Sequence, residues 1–162
     1  MTIETDFGIL LSHLFICIAD MLEFGVQERG VKYTERPGAY GVAVRDGLVL
    51  LVKNPGGYFL PGGGIDPGEN PEAALKREFV EEIGLDITIG KKIGEAAQYL
   101  HIVDPSLYIK KIGYFYMVEL GEKVSDMSED NHSEEWVTLA FAEKNLFREF
   151  HVWAVQEAFK FS

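Results

Sequence analysis

The chain has 162 residues, 47% of them hydrophobic and 25% charged, which suffices for one buried core, is too short for two ordinary domains, and contains no low-complexity tract. Its formal net charge of −11 repels polyanions, so a long DNA or RNA partner is disfavoured, while a small phosphorylated ligand stays open because a divalent cation can bridge it to an acidic site. Cys17 is the only cysteine, which excludes an intramolecular disulfide and a thiolate-rich zinc site.

Residues 1–22 read as an apolar N-terminal extension. The run Phe7 to Ala19 carries Glu4 and Asp6 where a signal peptide carries basic residues, and it is too short to span a bilayer, so a cytoplasmic protein with no membrane segment is expected. As a helix it would place Ile9, Leu10, His13, Leu14 and Cys17 on one side, which suits packing on the domain or on a second copy in a homodimer. Residues 23–162 are then a single domain.

Within that domain, Val31 to Tyr40 is strand-like but interrupted by Pro37-Gly38, which predicts an edge or a bend. Tyr40 to Arg45 and Leu48 to Lys53 flank Asp46-Gly47, a dipeptide favoured in tight hairpins. A turn at 54–57 and the short run Tyr58-Phe59-Leu60 lead into Pro61-Gly62-Gly63-Gly64, where the backbone can approach a ligand closely. Asn70 as N-cap, Pro71 at the first helical position and Gly84 past the end predict a helix over Pro71 to Ile83. Strands are expected at Asp86 to Ile89, Ile93 to Val103 and Leu107 to Leu120, then an acidic connection over Glu122 to Glu134. A last strand at Trp136 to Leu139 and a helix over Phe147 to Phe159 complete an α+β chain, a mixed sheet sandwiched between at least two helices.

On the first of these helices Glu78, Glu81 and Glu82 share one face, being three and four residues apart, beside an apolar stripe of Leu75, Phe79 and Ile83. An acidic helix face is usually just solvated. The alternative is a hard cation such as Mg²⁺, which takes carboxylate oxygens and shares its coordination with substrate phosphates.

Read from Gly63 through Glu69 to Arg77-Glu78-Phe79-Val80-Glu81-Glu82-Ile83-Gly84-Leu85, the chain resembles the complete Nudix box of the Nudix hydrolase superfamily, of the MutT-like kind. Only Phe79 departs softly, standing where the family more often has Ile, Leu or Val. The resemblance covers most of the chain from about Phe24 onward and implies a Nudix fold and hydrolysis of a diphosphate bond in a nucleotide-like substrate. It also implies a site: Glu81 and Glu82 as principal Mg²⁺ or Mn²⁺ ligands, Glu78 as third ligand or as base held by Arg77, the Gly62 carbonyl as backbone ligand, and Glu69 with Gly63 in support. Water then attacks phosphorus directly, with no covalent intermediate.

Outside the box, Glu129, Glu134 and Glu135 are candidates for a further acidic ligand, with a solvated acidic loop as the alternative. The four histidines, His13, His101, His132 and His151, lack metal spacing and are read as structural or surface residues. Tyr33, Tyr40, Tyr99 and Tyr114 are candidates for stacking, and Arg45, Lys53, Lys110 and Lys111 for phosphate contacts. Pro105 lies several positions beyond the proline of many ADP-ribose hydrolases, and Tyr99 and Tyr108 miss the tyrosine of many diadenosine polyphosphate hydrolases. The expected ligand is therefore a nucleoside triphosphate or nucleoside diphosphate derivative, and a module that binds such a ligand without hydrolysing it is the alternative. Messenger-RNA decapping is disfavoured by the acidic charge.

Overall fold

The computed structural model describes residues 21–102, 107–125 and 132–162. The expected N-terminal helix and Glu129 lie outside them. In chain order the elements are β1 (Leu22–Phe24), β2 (Thr34–Val42), β3 (Val44–Arg45), β4 (Leu48–Asn54), β5 (Gly57–Phe59), β6 (Gly62–Gly64), α1 (Pro71–Ile83), β7 (Leu85–His101), β8 (Tyr108–Lys123), β9 (Ser133–Thr138), α2 (Leu139–Asn145) and α3 (Glu149–Phe159).

Two sheets form rather than one. The first has the order β1-β7-β8-β2-β6, with β2 parallel to β8 and antiparallel to β6. The second is built on β4, which pairs with β9 along its length and with β3 and β5 at its two ends. The Asp46-Gly47 hairpin forms as expected, both residues having positive φ, 52° and 74°. Its first arm is short, because the chain leaves the first sheet at Val42 and enters the second at Val44.

Pro37 does not put its strand at an edge: β2 is continuous over Thr34–Val42 and has a neighbour on each side. The Pro37 carbonyl accepts from Ile65 N–H at 3.1 Å, so its nitrogen faces the same way, just past the end of β6 where no ladder bond is needed. Residues 85–101 likewise form one strand instead of two, with register shifts between Ile89 and Lys92 and between Lys92 and Gly94 marking the bend.

Alternation along β2 divides the core. Ala39 and Ala43 pack with Leu50, Ala74, Leu75 and Phe79 under α1, while Tyr40 and Val42 pack with Phe115, Ala142, Phe150 and Ala154 under α2 and α3. The sheets are thus sandwiched between α1 on one face and α2 with α3 on the other. α2, a third helix the sequence did not announce, is capped by Thr138, whose hydroxyl accepts from Phe141 N–H.

Candidate active site

α1 forms where its caps place it. The Asn70 side chain accepts from Ala73 N–H at 2.8 Å and Gly84 ends the helix with φ 70°. Leu75 and Phe79 are fully buried, and this seating turns Glu78 and Glu82, one turn apart, toward β6.

β6 is an edge strand, and its odd and even residues face different ways. Gly63 is in register with Ala39, whereas Gly62 and Gly64 turn their polar groups away from β2 toward α1. Gly62 N–H donates to Glu82 Oε2 at 2.9 Å, and the Gly64 carbonyl accepts from Arg77 Nη2 at 2.9 Å. Gly62 has φ 129°, which L side chains rarely adopt. At Gly63 the need is space, since a Cβ would lie 2.5 Å from the Glu78 carboxyl carbon.

Arg77 is the hub of the acidic residues. Its Nε and Nη2 grip the Glu69 carboxylate at 3.0 and 2.9 Å, and its Nη1 reaches Glu78 Oε1 at 2.8 Å and Glu81 Oε2 at 3.1 Å. Hydrogen bonding from Arg77 holds the Glu69 carboxyl below its ordinary value, and the same bond pushes the guanidinium above its own. Glu69 Oε2 also accepts from Asp66 N–H, tying the loop after β6 to the helix.

The three box glutamates do not meet at one point. Glu78 and Glu82 lie against the glycines, while Glu81 is about half exposed on the Arg77 side. Among the described residues no group of three or more His, Cys, Asp or Glu is gathered closely enough to hold a metal ion. The donor set nonetheless suits Mg²⁺ or Mn²⁺, being hard oxygens of carboxylates and of a strand-edge backbone. Glu134 and Glu135 stand apart on β9: Glu134 is exposed, and Glu135 accepts from the Tyr58 hydroxyl at 3.1 Å.

Beside the glycine strand opens a cavity of about 150 Å³. Gly62, Gly63 and Glu82 form one wall, and Lys111, Arg148 and His151 are among the residues of the others. In the sequence His151 reads only as a structural or surface residue, and Arg148 carries no signal. His151 is buried, its Nδ1 accepts from Leu60 N–H at 3.2 Å, and burial holds its pKa well below the ordinary histidine value. Lys111, one of four cations considered for phosphate, is the one found here; Lys110 pairs with Glu23, Arg45 covers Trp136 and Lys53 covers Tyr58. Of the candidate stacking residues, Tyr40 is buried in this wall, and Tyr33 packs edge-on against Tyr99. Burial raises the Tyr40 hydroxyl's pKa, which keeps it protonated near Lys111.

Similarity to known proteins bears on the same region. An RNA pyrophosphohydrolase of Aeromonas hydrophila is 52% identical over 50 residues, 28% of this chain and 29% of that protein. A putative 8-oxo-dGTP diphosphatase of Bacillus subtilis is 40% identical over 65 residues, 38% of this chain and 42% of its own length. The chain thus spans less than half the length of either relative. The solution structure of the E. coli ORF135 protein superposes with a TM-score of 0.62 at 18% identity, covering 79% of this chain and 91% of that one, a likeness of fold. The family model described as NUDIX domain matches residues 34–155, which takes in β2 to β9, α1, α2 and most of α3, and on that match the chain belongs to the Nudix superfamily.

Proposed function

We propose that this chain is a divalent-cation-dependent hydrolase that cleaves a diphosphate bond in a nucleoside di- or triphosphate or a nucleoside diphosphate derivative. The observation that carries this reading is the seating of Glu78 and Glu82 against Gly63 and Gly62, which sets two carboxylates at a strand edge, with Glu82 on the wall of a polar cavity. Glu78, Glu81, Glu82 and the Gly62 carbonyl would hold Mg²⁺ or Mn²⁺. Such a cation, when bound, neutralises diphosphate oxygens and lowers the pKa of a coordinated water.

The chain's own residues do the rest. Arg77 orients Glu78 through Oε1, and Glu78 is the group to take a proton from the attacking water. Arg77 also carries Glu69, so the loop after β6 and the helix bearing the carboxylates are held as one unit. The names of the two curated relatives, a pyrophosphohydrolase and a diphosphatase, support the same class of reaction.

A phosphate-release screen over a nucleotide panel with Mg²⁺ or Mn²⁺, run beside Glu82→Gln, tests this. Groups that merely orient metal ligands are worth about 10–100-fold, so loss of a ligand should lower turnover by at least about 100-fold with folding intact. Wild type at the variant's background on every compound would support the second reading, a module that binds nucleotides without hydrolysis.

A further inference from the structure

Resting on that reading, we infer that the cavity beside the glycine strand takes a phosphoryl group of the substrate next to the diphosphate that is cleaved, gripped by Lys111, Arg148 and His151. The favoured substrates are then tri- or polyphosphates, rather than diphosphates capped by a neutral group such as a sugar.

Apart from the Glu82 carboxylate on the glycine side, the polar side chains of the lining offer donors. Lys111 brings an ammonium and Arg148 a guanidinium, neither of which can accept a hydrogen bond. His151 Nδ1 accepts from Leu60 N–H, so its one proton sits on Nε2, and that buried Nε2 has no partner. Asn54 Oδ1 accepts from Gly56 N–H at 2.8 Å, which leaves its NH₂ as the group available to a ligand. A nucleobase edge offers donors as well as acceptors, whereas a phosphoryl group offers acceptors alone.

Charge points the same way. In a chain of net charge −11, two half-buried cations share one small cavity, and among the described residues neither makes an ion pair with a carboxylate. Burial lowers the pKa of Lys111 and of Arg148, and Arg148 lowers Lys111 further, while Glu78 and Tyr40 offset only part of this, so both carry a cost that an anion would reduce. Size agrees: about 150 Å³ is well under the roughly 300–1,000 Å³ of pockets that enclose drug-sized ligands, and suits one small group. Gly62, Gly63 and Glu82 line the same cavity, which places that group beside the box carboxylates.

The test uses the full chain in EDTA with inorganic phosphate as probe, read by NMR at the His151 imidazole and the Leu60 amide. Saturable shifts are expected there, weakened tenfold or more by Lys111→Met and by Arg148→Met, retained in Lys111→Arg, and absent with chloride at matched ionic strength. No saturable binding, or equal affinity in wild type and both methionine variants, overturns the inference. A second arm compares a nucleoside triphosphate with a nucleotide sugar under Mg²⁺: Lys111→Met should raise KM tenfold for the former alone, and an equal change for both counts against it. Failure of the two readings is distinguishable. Turnover that persists while phosphate affinity ignores both variants removes only this inference; phosphate affinity that obeys them in a chain that turns over no nucleotide removes only the hydrolase.

Discussion

His151 shows how one side chain can be part of the core and titratable together. Its ring stacks on Phe150 at 4.8 Å and lies 4.6 Å from Tyr40, and burial, reinforced by Lys111 and Arg148, keeps it neutral. The sign of the consequence follows from its lowered pKa. Below about pH 6.5 the unfolded chain gains a proton that the folded chain refuses, so stability falls as pH drops from there toward the folded value, by up to about 1.4 kcal/mol per pH unit. Urea unfolding from about pH 7.5 to about pH 5 should show that slope in wild type and a flatter one in His151→Asn, whose amide oxygen stands where Nδ1 does and can still accept from Leu60 N–H. Identical slopes would show that His151 does not titrate in this way. None of this is legible in the sequence, where His151 is one of four scattered histidines and the amide that sets its tautomer lies 91 residues away.

At the scale of elements, α1 was legible nearly to the residue because its caps are local chemistry: Asn70, Pro71 and Gly84 act on backbone within a turn of themselves. α2 was not, since seven residues give too little periodicity to separate a short helix from a loop. What α1 rests on was half legible. Phe79 stands where related chains more often carry a smaller aliphatic residue, and the structure accommodates its ring through Gly41 on β2, where a Cβ would lie 2.7 Å from Phe79 Cε2. Gly41→Ala should therefore overpack this contact and destabilise the fold by about 1–3 kcal/mol. Combining it with Phe79→Leu should recover part of that loss, a coupling a double-mutant cycle in urea reads directly. Strict additivity of the two changes would mean that ring and glycine do not constrain each other. Because α1 carries Glu78 and Glu82, the single variant should also lower turnover more than its loss of stability explains.

For the whole molecule, the division of strands between two sheets escaped the sequence because the partners are distant: β2 pairs with β8 75 residues on, and β4 with β9 80 to 90 residues on. Local patterns mark strands but not their neighbours, so Pro37 looked like an edge signal in what is an interior strand. The box carboxylates were legible as a group, their fixed spacing doing what homogeneous charge could not, while Lys111, Arg148 and His151 were not, being joined only by the fold. The same distinction between local and global charge shapes the response to cations. With a net charge of −11, any salt relieves self-repulsion, but only a cation bound to the folded site adds stability that depends on particular residues. Binding at a hundredfold excess over Kd contributes about 2.7 kcal/mol, and a chain of this length shifts its Tm by about 2–4 °C per kcal/mol. Mg²⁺ added to EDTA-treated protein should thus raise Tm by several degrees beyond NaCl at equal ionic strength. Glu82→Gln is the discriminating control, because its amide oxygen can still accept from Gly62 N–H and so preserve the metal-free fold. It should match wild type in EDTA and lose most of the Mg²⁺ increment; an increment of the same size in both proteins would place the cation's effect in bulk screening and not at the strand edge.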